Sequence, residues 1–264
     1  MPNPRLSVLI GIYNCASTLT EALDSLYAQT YQDFKIILCD DGSSDNTYQV
    51  ASNYATDHDN IILIRNEKNM GLNYTLNHCL EYADTEYVAR MDGDDISLPE
   101  RFEKEINFLD EHPEYAVVSG PMIYFDESGD FRIGSGHGEV NKMDFLNSSV
   151  ICHAPCMART EVFKDVGGYT VDKRLLRIED YHLWFKIFSA GHKLYMLKDP
   201  IYKMRDDRNA YNRRTLTSRI NATRLRLKVY KKLDIPFRYY YTAFKGIIVW
   251  ILPKWLYKRL HSRS

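Results

Sequence analysis

The sequence predicts an α/β protein built around a parallel, doubly wound sheet. Four apolar runs alternate with segments of helical periodicity over residues 6–91, which is the pattern of βαβ units. Hydrophobic residues make up 45% of the 264 positions, enough to bury a core. The segments between the runs are rich in turn-forming residues, so the runs are predicted to be separate strands.

The elements follow in order along the chain. LSVLIGIY at 6–13 is predicted as the first strand and STLTEALDSLYAQ as the first helix, with Thr18 and Glu21 in capping-box spacing. FKIILCD at 34–40 is the second strand, and the turn DGSSDNT leads into a second helix. The later predictions are a helix end near Thr56, a strand at 61–64, a helix from about Leu72 to Tyr82 and a strand at 87–91.

Charge is divided sharply between two parts of the chain. Residues 1–200 carry 17 Lys and Arg against 32 Asp and Glu, a net charge of −15, whereas residues 201–264 carry 17 against 3, a net charge of +14. A basic tail on an acidic body indicates an anionic surface or ligand for the tail.

The five cysteines are scattered, odd in number and partly set in apolar patterns. A reducing compartment is therefore expected, which predicts a cytoplasmic protein. The apolar run at the N-terminus is too short for a signal-peptide core and lacks a small-residue cleavage site.

Acidic residues are predicted to gather at one edge of the sheet. Asp40 and Asp41 end the second strand, and Asp92, Asp94 and Asp95 end the fourth. Because ligands bind beyond the carboxyl ends of parallel strands, both clusters should share one rim. Their repulsion requires a counter-charge, which Mg²⁺ or Mn²⁺ with a substrate diphosphate would supply through Asp92 and Asp94. D-x-D is also common in surface turns that carry no metal.

Three ordered stretches resemble the family 2 glycosyltransferases, which are inverting enzymes of the GT-A fold that use nucleotide sugars. The stretches are SVLIGIYNCASTLTEALDSLYAQTYQDFKIILCDDGSSDNT, NMGLNYTLNHCLEYADTEYVARMDGDDISLPERF and GGYTVDKRLLRIEDYHLWFKI. The resemblance covers about residues 5–205 and implies a Rossmann-like mixed sheet flanked by helices. It implies a catalytic domain over 1–210, with a nucleotide-binding half to about residue 100 and an acceptor half from 101, followed by a basic helical tail over 211–264.

On the donor side, the resemblance implies that Tyr13 lies against the nucleobase and that Asp41, with Asp40 beside it, binds base or ribose. Core packing is the alternative for Tyr13, and turn or helix capping is the alternative for the two aspartates. Asp92 and Asp94 would bind the sugar diphosphate through the metal. Asp95 would brace the loop. Arg90 would reach phosphate or form a structural ion pair with an aspartate.

On the acceptor side, the general base is expected in the pair Glu179 and Asp180, with Asp180 as the choice. A sugar hydroxyl is a very weak acid and must lose its proton as it attacks. An acidic first helical turn is the alternative. The family's late strand and loop would place Lys203 and Arg205 over the diphosphate, unless both belong to a solvated basic face. His153 would lie at the acceptor side or be structural, and Trp184 and Phe185 are expected in the core; His153, Trp184 and Phe185 all lie in the acceptor half.

The tail combines a basic helix with aromatic residues. Its best apolar segment, about Tyr239 to Leu252, includes Lys245 and is too short to span a bilayer. Peripheral contact with the inner face of an anionic membrane is the favoured role, ahead of packing on protein, and no nucleic acid is expected. Membrane contact would suit a polyprenyl-linked glycan acceptor.

Two other functions stay in view. A nucleotidyltransferase would need a glycine-rich basic loop after the first strand, where IGIYNCAST offers one glycine and no cation. A non-catalytic binder of nucleotide sugars is the second alternative. The absence of the glutamine-arginine-tryptophan motif of processive synthases favours single sugar addition. Donor sugar and linkage depend on side chains that the sequence does not identify.

Overall fold

The computed structural model describes residues 4–147, 149–206 and 215–251. The strands are β1 Leu6–Ile12, β2 Phe34–Asp40, β3 Ile61–Arg65, β4 Tyr87–Asp92, β5 Ile96–Ser97, β6 Tyr115–Ser119, β7 Met122–Asp126, β8 Gly129–Ile133, β9 Gly138–Glu139, β10 Met157–Arg159, β11 Lys193–Met196 and β12 Tyr202–Arg205. The α-helices are α1 Leu19–Tyr27, α2 Thr47–Thr56, α3 Leu72–Leu80, α4 Arg101–Glu111, α5 Thr160–Val166, α6 Glu179–Ser189, α7 Leu216–Lys232 and α8 Lys245–Ile251. Within these ranges, the 3₁₀ helices span Lys142–Leu146, Lys173–Leu175 and Phe237–Phe244.

The main sheet has eight strands in the order β3-β2-β1-β4-β10-β6-β11-β9. Its first four strands are parallel, as predicted. Residues in β1 alternate between two cores: Leu9 packs with residues of α3 and α6, whereas Val8 and Ile10 pack with residues of α1 and α4. A sheet covered on both faces explains why its strands are continuous apolar runs.

The sheet becomes mixed beyond β4. The short strand β10 runs antiparallel to both β4 and β6, and β11 returns parallel to β6. A second sheet, in the order β5-β12-β7-β8, pairs Lys203 with Ile96. This pairing carries the end of β12 to the loop that follows β4, where the acidic residues lie.

A buried ion pair on α4 supports β4 through a hydrogen bond to its backbone. Arg101 and Glu105 of α4 are fully buried, with Arg101 Nε 3.0 Å from Glu105 Oε2. Arg101 Nη2 also donates to the carbonyl oxygen of Arg90 at 2.7 Å. Burial raises the pKa of Glu105, and the charge of Arg101 opposes that rise. The pair therefore fixes the strand that leads into the D-x-D turn.

The capping-box prediction for α1 is wrong. The Thr18 hydroxyl does not cap the helix but donates to the carbonyl oxygens of Cys15 and Gly93. Glu21 instead contacts Arg205, far along the chain. A long-range ion pair has therefore replaced the local cap.

The basic helix predicted in the tail is α7, and it packs against the body. Val229 and Tyr230 are fully buried in the same core as Trp184, and the Arg226 guanidinium lies 5.8 Å from the centre of the Tyr181 ring. Within the described residues, each helix is too short or too polar to cross a bilayer. The segment 207–214 and the residues after 251 belong to the predicted tail or its junction and lie outside the described residues.

Candidate active site

The two acidic clusters share one rim, as predicted. β1 pairs with β2 on one side and with β4 on the other, so Gly11 lies opposite both Cys39 and Asp92. The backbone N–H of Asp41 donates to the carbonyl oxygen of Ile12 at 2.9 Å. Both clusters therefore flank the carboxyl end of β1.

The chain neutralises part of this rim itself. The Asp40 carboxylate is fully buried and lies 2.9 Å from Arg65 Nε at the end of β3. Arg90, also buried, contacts the Asp92 carboxylate directly. These two arginines pair with one aspartate in each cluster, so they supply part of the counter-charge that the sequence assigns to a metal with a diphosphate.

Asp41 holds the start of α3. Its Oδ1 accepts hydrogen bonds at 2.8 Å from Asn66 Nδ2 and from the backbone N–H of Met70, and its Oδ2 accepts one at 2.8 Å from Gly71 N. Gly71 has φ +88° at the N-cap of α3, a conformation that glycine adopts readily. The carboxylate thus satisfies N–H groups that the first turn leaves open.

Tyr13 and Asn14 form the loop between β1 and α1. The Tyr13 ring is 48% exposed, so the alternative of core packing does not hold. Asn14 has φ +50° and accepts a 2.9 Å hydrogen bond from Ser44 N through Oδ1. This bond ties the Tyr13 loop to the loop after Asp41.

Gly93 sits between the two aspartates of the D-x-D turn because no side chain fits there. A Cβ atom at this position would lie 2.8 Å from Ile12 Cγ2 and 3.0 Å from Cys15 Sγ. The turn can therefore pack closely against the end of β1, which leaves Asp94 exposed at the rim. The surrounding protein and then the charge of Asp92 raise the pKa of Asp94.

Asp95 braces the loop, as predicted. It is buried, and its Oδ1 accepts a 2.8 Å hydrogen bond from the backbone N–H of Arg205. Burial, followed by the charges of Asp92 and Asp94, raises its pKa well above the usual range. The turn therefore gathers more carboxyl groups than Arg90 alone can balance, and the exposed one among them is Asp94.

Arg205 and Lys203 have different surroundings. The Arg205 guanidinium donates to the carbonyl oxygen of Asp94 at 3.0 Å and pairs with Glu21. It also lines a cavity of about 470 Å³ together with residues 126–128 and Asp206. Lys203 Nζ lies 2.8 Å from Asp130 Oδ2 on β8. Arg205 is thus at the acidic turn, whereas Lys203 is engaged in the second sheet.

Glu179 and Asp180 form the first turn of α6, and both are half-buried. Arg177, just before them, has φ +66°, a left-handed conformation that costs a non-glycine residue about 1 kcal/mol. Burial, and then the charge of the nearby Asp180, raises the pKa of the Cys152 thiol. The carboxylate pair is therefore presented by a strained, specific turn.

The half-buried His153 and the buried Tyr169 form an aromatic pair near the acceptor side of the site. His153 Nε2 lies 2.8 Å from the Tyr169 hydroxyl oxygen, and the His153 ring packs edge-on against Trp184. Burial and then the charge of Arg90 lower the pKa of His153 well below its usual value, so it is neutral. Burial raises the pKa of Tyr169 most, and the nearby Asp180 raises it further, whereas Arg90 lowers it. Tyr169 is therefore near both Asp180 and Arg90, the residue that contacts Asp92.

Two carboxylates are available to a metal at the D-x-D turn. Among the described residues, no group of three or more His, Cys, Asp or Glu side chains converges as a metal site. Mg²⁺ and Mn²⁺ bound with a nucleotide need fewer protein ligands, because phosphate oxygens and waters complete the coordination. The exposed Asp94 carboxylate and the carboxyl groups around it fit such an ion.

Three residues of the site were missed from the sequence. Arg65 ends β3 and Asn66 follows it, so the rule that placed the aspartates at strand ends would also have placed both residues. Tyr169 lies in the GGYT segment, and its contact with His153 joins residues 16 positions apart. Nothing in the local pattern indicated that contact.

A mixed sheet whose strand ends carry a D-x-D turn, with a carboxylate pair on a neighbouring helix, defines a transferase of the GT-A class. The chain belongs to glycosyl transferase family 2, since residues 7–167 match that family. Its fold is that of GT-A enzymes, as predicted.

Three relatives illustrate the similarity. The glycosyltransferase EpsE of Bacillus subtilis (strain 168) is 38% identical over 98% of this chain and 94% of its own length. The amylovoran biosynthesis glycosyltransferase AmsE of Erwinia amylovora is 34% identical over 84% and 85%. WfaP of Escherichia coli, named as a UDP-Glc:alpha-D-GlcNAc-diphosphoundecaprenol beta-1,3-glucosyltransferase, is 31% identical over 71% and 72%.

Two solved structures share the fold. S. aureus TarS 1–349 in complex with UDP-GlcNAc aligns with a TM-score of 0.70 and 20% identity over 95% of this chain and 76% of TarS 1–349. The mannosyltransferase PcManGT from Pyrobaculum calidifontis, in complex with GDP-Man and Mn²⁺, aligns with a TM-score of 0.65 and 18% identity over 99% and 79%.

Proposed function

We propose that this chain is an inverting glycosyltransferase that moves one sugar from a UDP-sugar to a glycan or polyprenyl-linked acceptor in surface polysaccharide synthesis. The observation that carries the proposal is the rim at the carboxyl end of β1, which the Asp41 loop and the D-x-D turn share. The names of AmsE and WfaP and the UDP-GlcNAc in the TarS complex support the acceptor class and the donor class.

Asp180 is the general base. The acceptor hydroxyl gives its proton to the Asp180 carboxylate as its oxygen attacks the anomeric carbon, and the bond from that carbon to the diphosphate oxygen breaks. One displacement inverts the anomeric centre. His153 does not suit this role because its pKa is lowered and its Nε2 is bonded to Tyr169. We assign His153 and Glu179 to the acceptor side, where they shape the pocket around Asp180.

Asp92 and Asp94 would hold Mn²⁺ or Mg²⁺. Such an ion stabilises the negative charge of the departing nucleoside diphosphate when it is bound. Arg90 fixes the Asp92 carboxylate through a direct ion pair. Arg205, beside the D-x-D turn, would leave Glu21 and bind phosphate oxygens of the donor. Lys203, two residues earlier on β12, would lie over the same diphosphate.

Tyr13 would stack on the nucleobase, because its ring is exposed beside the loop that Asp41 organises. Asp40 and Asp41 contribute to the nucleotide site by holding that loop and the start of α3, since their oxygens already accept bonds from the chain. A cytoplasmic location suits the five cysteines, all of which are free thiols.

A panel of UDP-, GDP- and dTDP-sugars, assayed for Mn²⁺-dependent hydrolysis and thermal stabilisation, tests the donor.

For the general base, we expect Asp180→Asn to lower the transfer rate about a thousandfold and to leave nucleotide binding unchanged. Glu161→Gln, in the first turn of α5, is the matched control and should keep full activity. Undiminished turnover of Asp180→Asn would remove the base assignment.

The same assays separate the alternatives. A nucleotidyltransferase would release pyrophosphate from a nucleoside triphosphate and a sugar phosphate, a reaction we expect to be absent. A non-catalytic binder would be stabilised by a nucleotide sugar yet transfer nothing to any acceptor.

A further inference from the structure

The C-terminal extension carries an apolar groove outside the catalytic site. Leu227 of α7 and five residues of the following 3₁₀ helix enclose about 510 Å³; these five are Phe237, Arg238, Tyr240, Tyr241 and Phe244. We call this surface the C-terminal groove. Phe237 is 84% exposed and Tyr241 is 70% exposed. Large aromatic side chains so exposed and so close together usually mark a binding surface.

The opposite side of this segment is firmly anchored. Thr223 Oγ1 donates to the carbonyl oxygen of Ala243 at 3.0 Å, and the hydroxyls of Tyr230 and Thr242 lie 3.0 Å apart. Ala243 is buried in the core shared with α6. The backbone that presents Phe237 and Tyr241 is thus fixed, and the two rings point outward because the other face of the segment is occupied.

The extension that carries the groove is rich in positive charge. Residues 215–251 contain eight Lys and Arg but a single acidic residue, Asp234. Seven of the eight form no ion pair with any residue that the structure describes: Arg224, Arg226, Lys228, Lys231, Lys232, Arg238 and Lys245. Arg238 lines the groove itself, so the extension combines exposed aromatic rings with cations that lack an ion-pair partner among the described residues.

We propose that the C-terminal groove docks onto anionic phospholipid. Aromatic rings favour the headgroup region, and each cation near an anionic bilayer strengthens binding roughly fivefold. Ile248 and Trp250, both about half exposed, continue the apolar surface along α8. A second copy docking groove to groove would bring like charges together, whereas lipid phosphates complement them. This docking would bring the catalytic body to a membrane without a spanning helix.

Vesicle flotation of the full-length chain tests the proposal. We expect recovery with vesicles that contain phosphatidylglycerol and little recovery with pure phosphatidylcholine. Phe237→Ser/Tyr241→Ser should lower the partition coefficient at least tenfold. The matched control is Tyr82→Ser/Phe131→Ser, because these rings are 43% and 38% exposed on the body, and it should bind as the unmodified chain does.

Other outcomes would overturn the proposal. Equal flotation on the two vesicle types, or equal flotation of Phe237→Ser/Tyr241→Ser and the unmodified chain, would exclude a lipid role for the groove. A dimer that the double variant dissociates in light scattering, without vesicle binding, would show that a second copy is the occupant. Nucleotide-sugar hydrolysis should be unchanged in the double variant, so failure here is distinguishable from failure of the proposed function.

Discussion

The acidic rim and the C-terminal extension differ in how many of their charged side chains form ion pairs within the chain. At the rim, Asp40 and Asp92 each pair with an arginine, and Glu21 pairs with Arg205. In the described part of the extension, seven cations form no ion pair with a described residue. Charges that remain after internal pairing are those available to a ligand from outside, which we propose is a cation with a diphosphate at the rim and an anionic surface at the extension.

The largest expected effect concerns a charge that the body balances completely. Burial raises the pKa of Glu105 to about 8, so the carboxylate is ionised above that pH. At pH 9, Glu105→Gln should lower the free energy of unfolding by about 3 kcal/mol, because it leaves the buried Arg101 guanidinium without its counter-charge. Urea denaturation at this pH measures the difference. Glu103→Gln, on the exposed side of the same helix, should stay within about 0.5 kcal/mol. An unchanged midpoint for Glu105→Gln would mean that Glu105 is protonated in the folded protein.

The second prediction concerns a charge that the body leaves unbalanced. Asp94→Asn should lower kcat/KM by about a hundredfold or more, since the proposed metal site would lose one of its two carboxylates. The melting temperature should stay the same or rise, because repulsion with Asp92 is relieved. Asp59→Asn, in the exposed turn before β3, controls for the loss of one negative charge. A lower melting temperature would assign Asp94 to the structure of the turn.

Features that depend on neighbouring residues were predicted from the sequence, whereas features that depend on contacts between distant residues were not. The strands β1 to β4 were placed within a residue or two, because buried parallel strands are continuous apolar runs bounded by turns. The second sheet was missed: β5 has two residues and pairs with a strand about 105 positions later. In the site, the strand-end rule found the aspartates, but the arginines that balance them act across strands, and Glu21 was assigned to a cap that does not form.

The third prediction concerns the junction of the two regions. His182 of α6 faces Lys228 of α7, and burial, followed by Lys186 and Lys228, lowers its pKa to about 4 despite an opposing contribution from Asp172. The unfolded chain therefore binds a proton near pH 6.5 that the folded chain does not bind until about pH 4. The free energy of unfolding should fall as the pH decreases through this window, by about 1 kcal/mol at pH 5; this is roughly half of what the two pKa values alone give, because His182 is only partly buried and solvent screens its neighbours.

Denaturation of His182→Gln at pH 7 and pH 5 measures this contribution, which should be reduced in the variant. His112→Gln, at the exposed end of α4, should retain the full pH dependence. Identical profiles for His182→Gln and the unmodified chain would show that the junction is hydrated enough to accept the proton.

The smallest expected effect tests the extension directly. Lys231→Gln/Lys232→Gln should change the free energy of unfolding by less than about 0.5 kcal/mol, because neither ammonium forms an ion pair with a described residue. Arg65→Gln, which removes a partner of the buried Asp40 at the rim, should cost several times more. If the two lysines proved as costly as Arg65, the positive charge of the extension would be part of the fold. If the free energy of unfolding hardly changes, the two lysines are not needed for folding. Their charge is then available to an external anion, as the docking proposal requires.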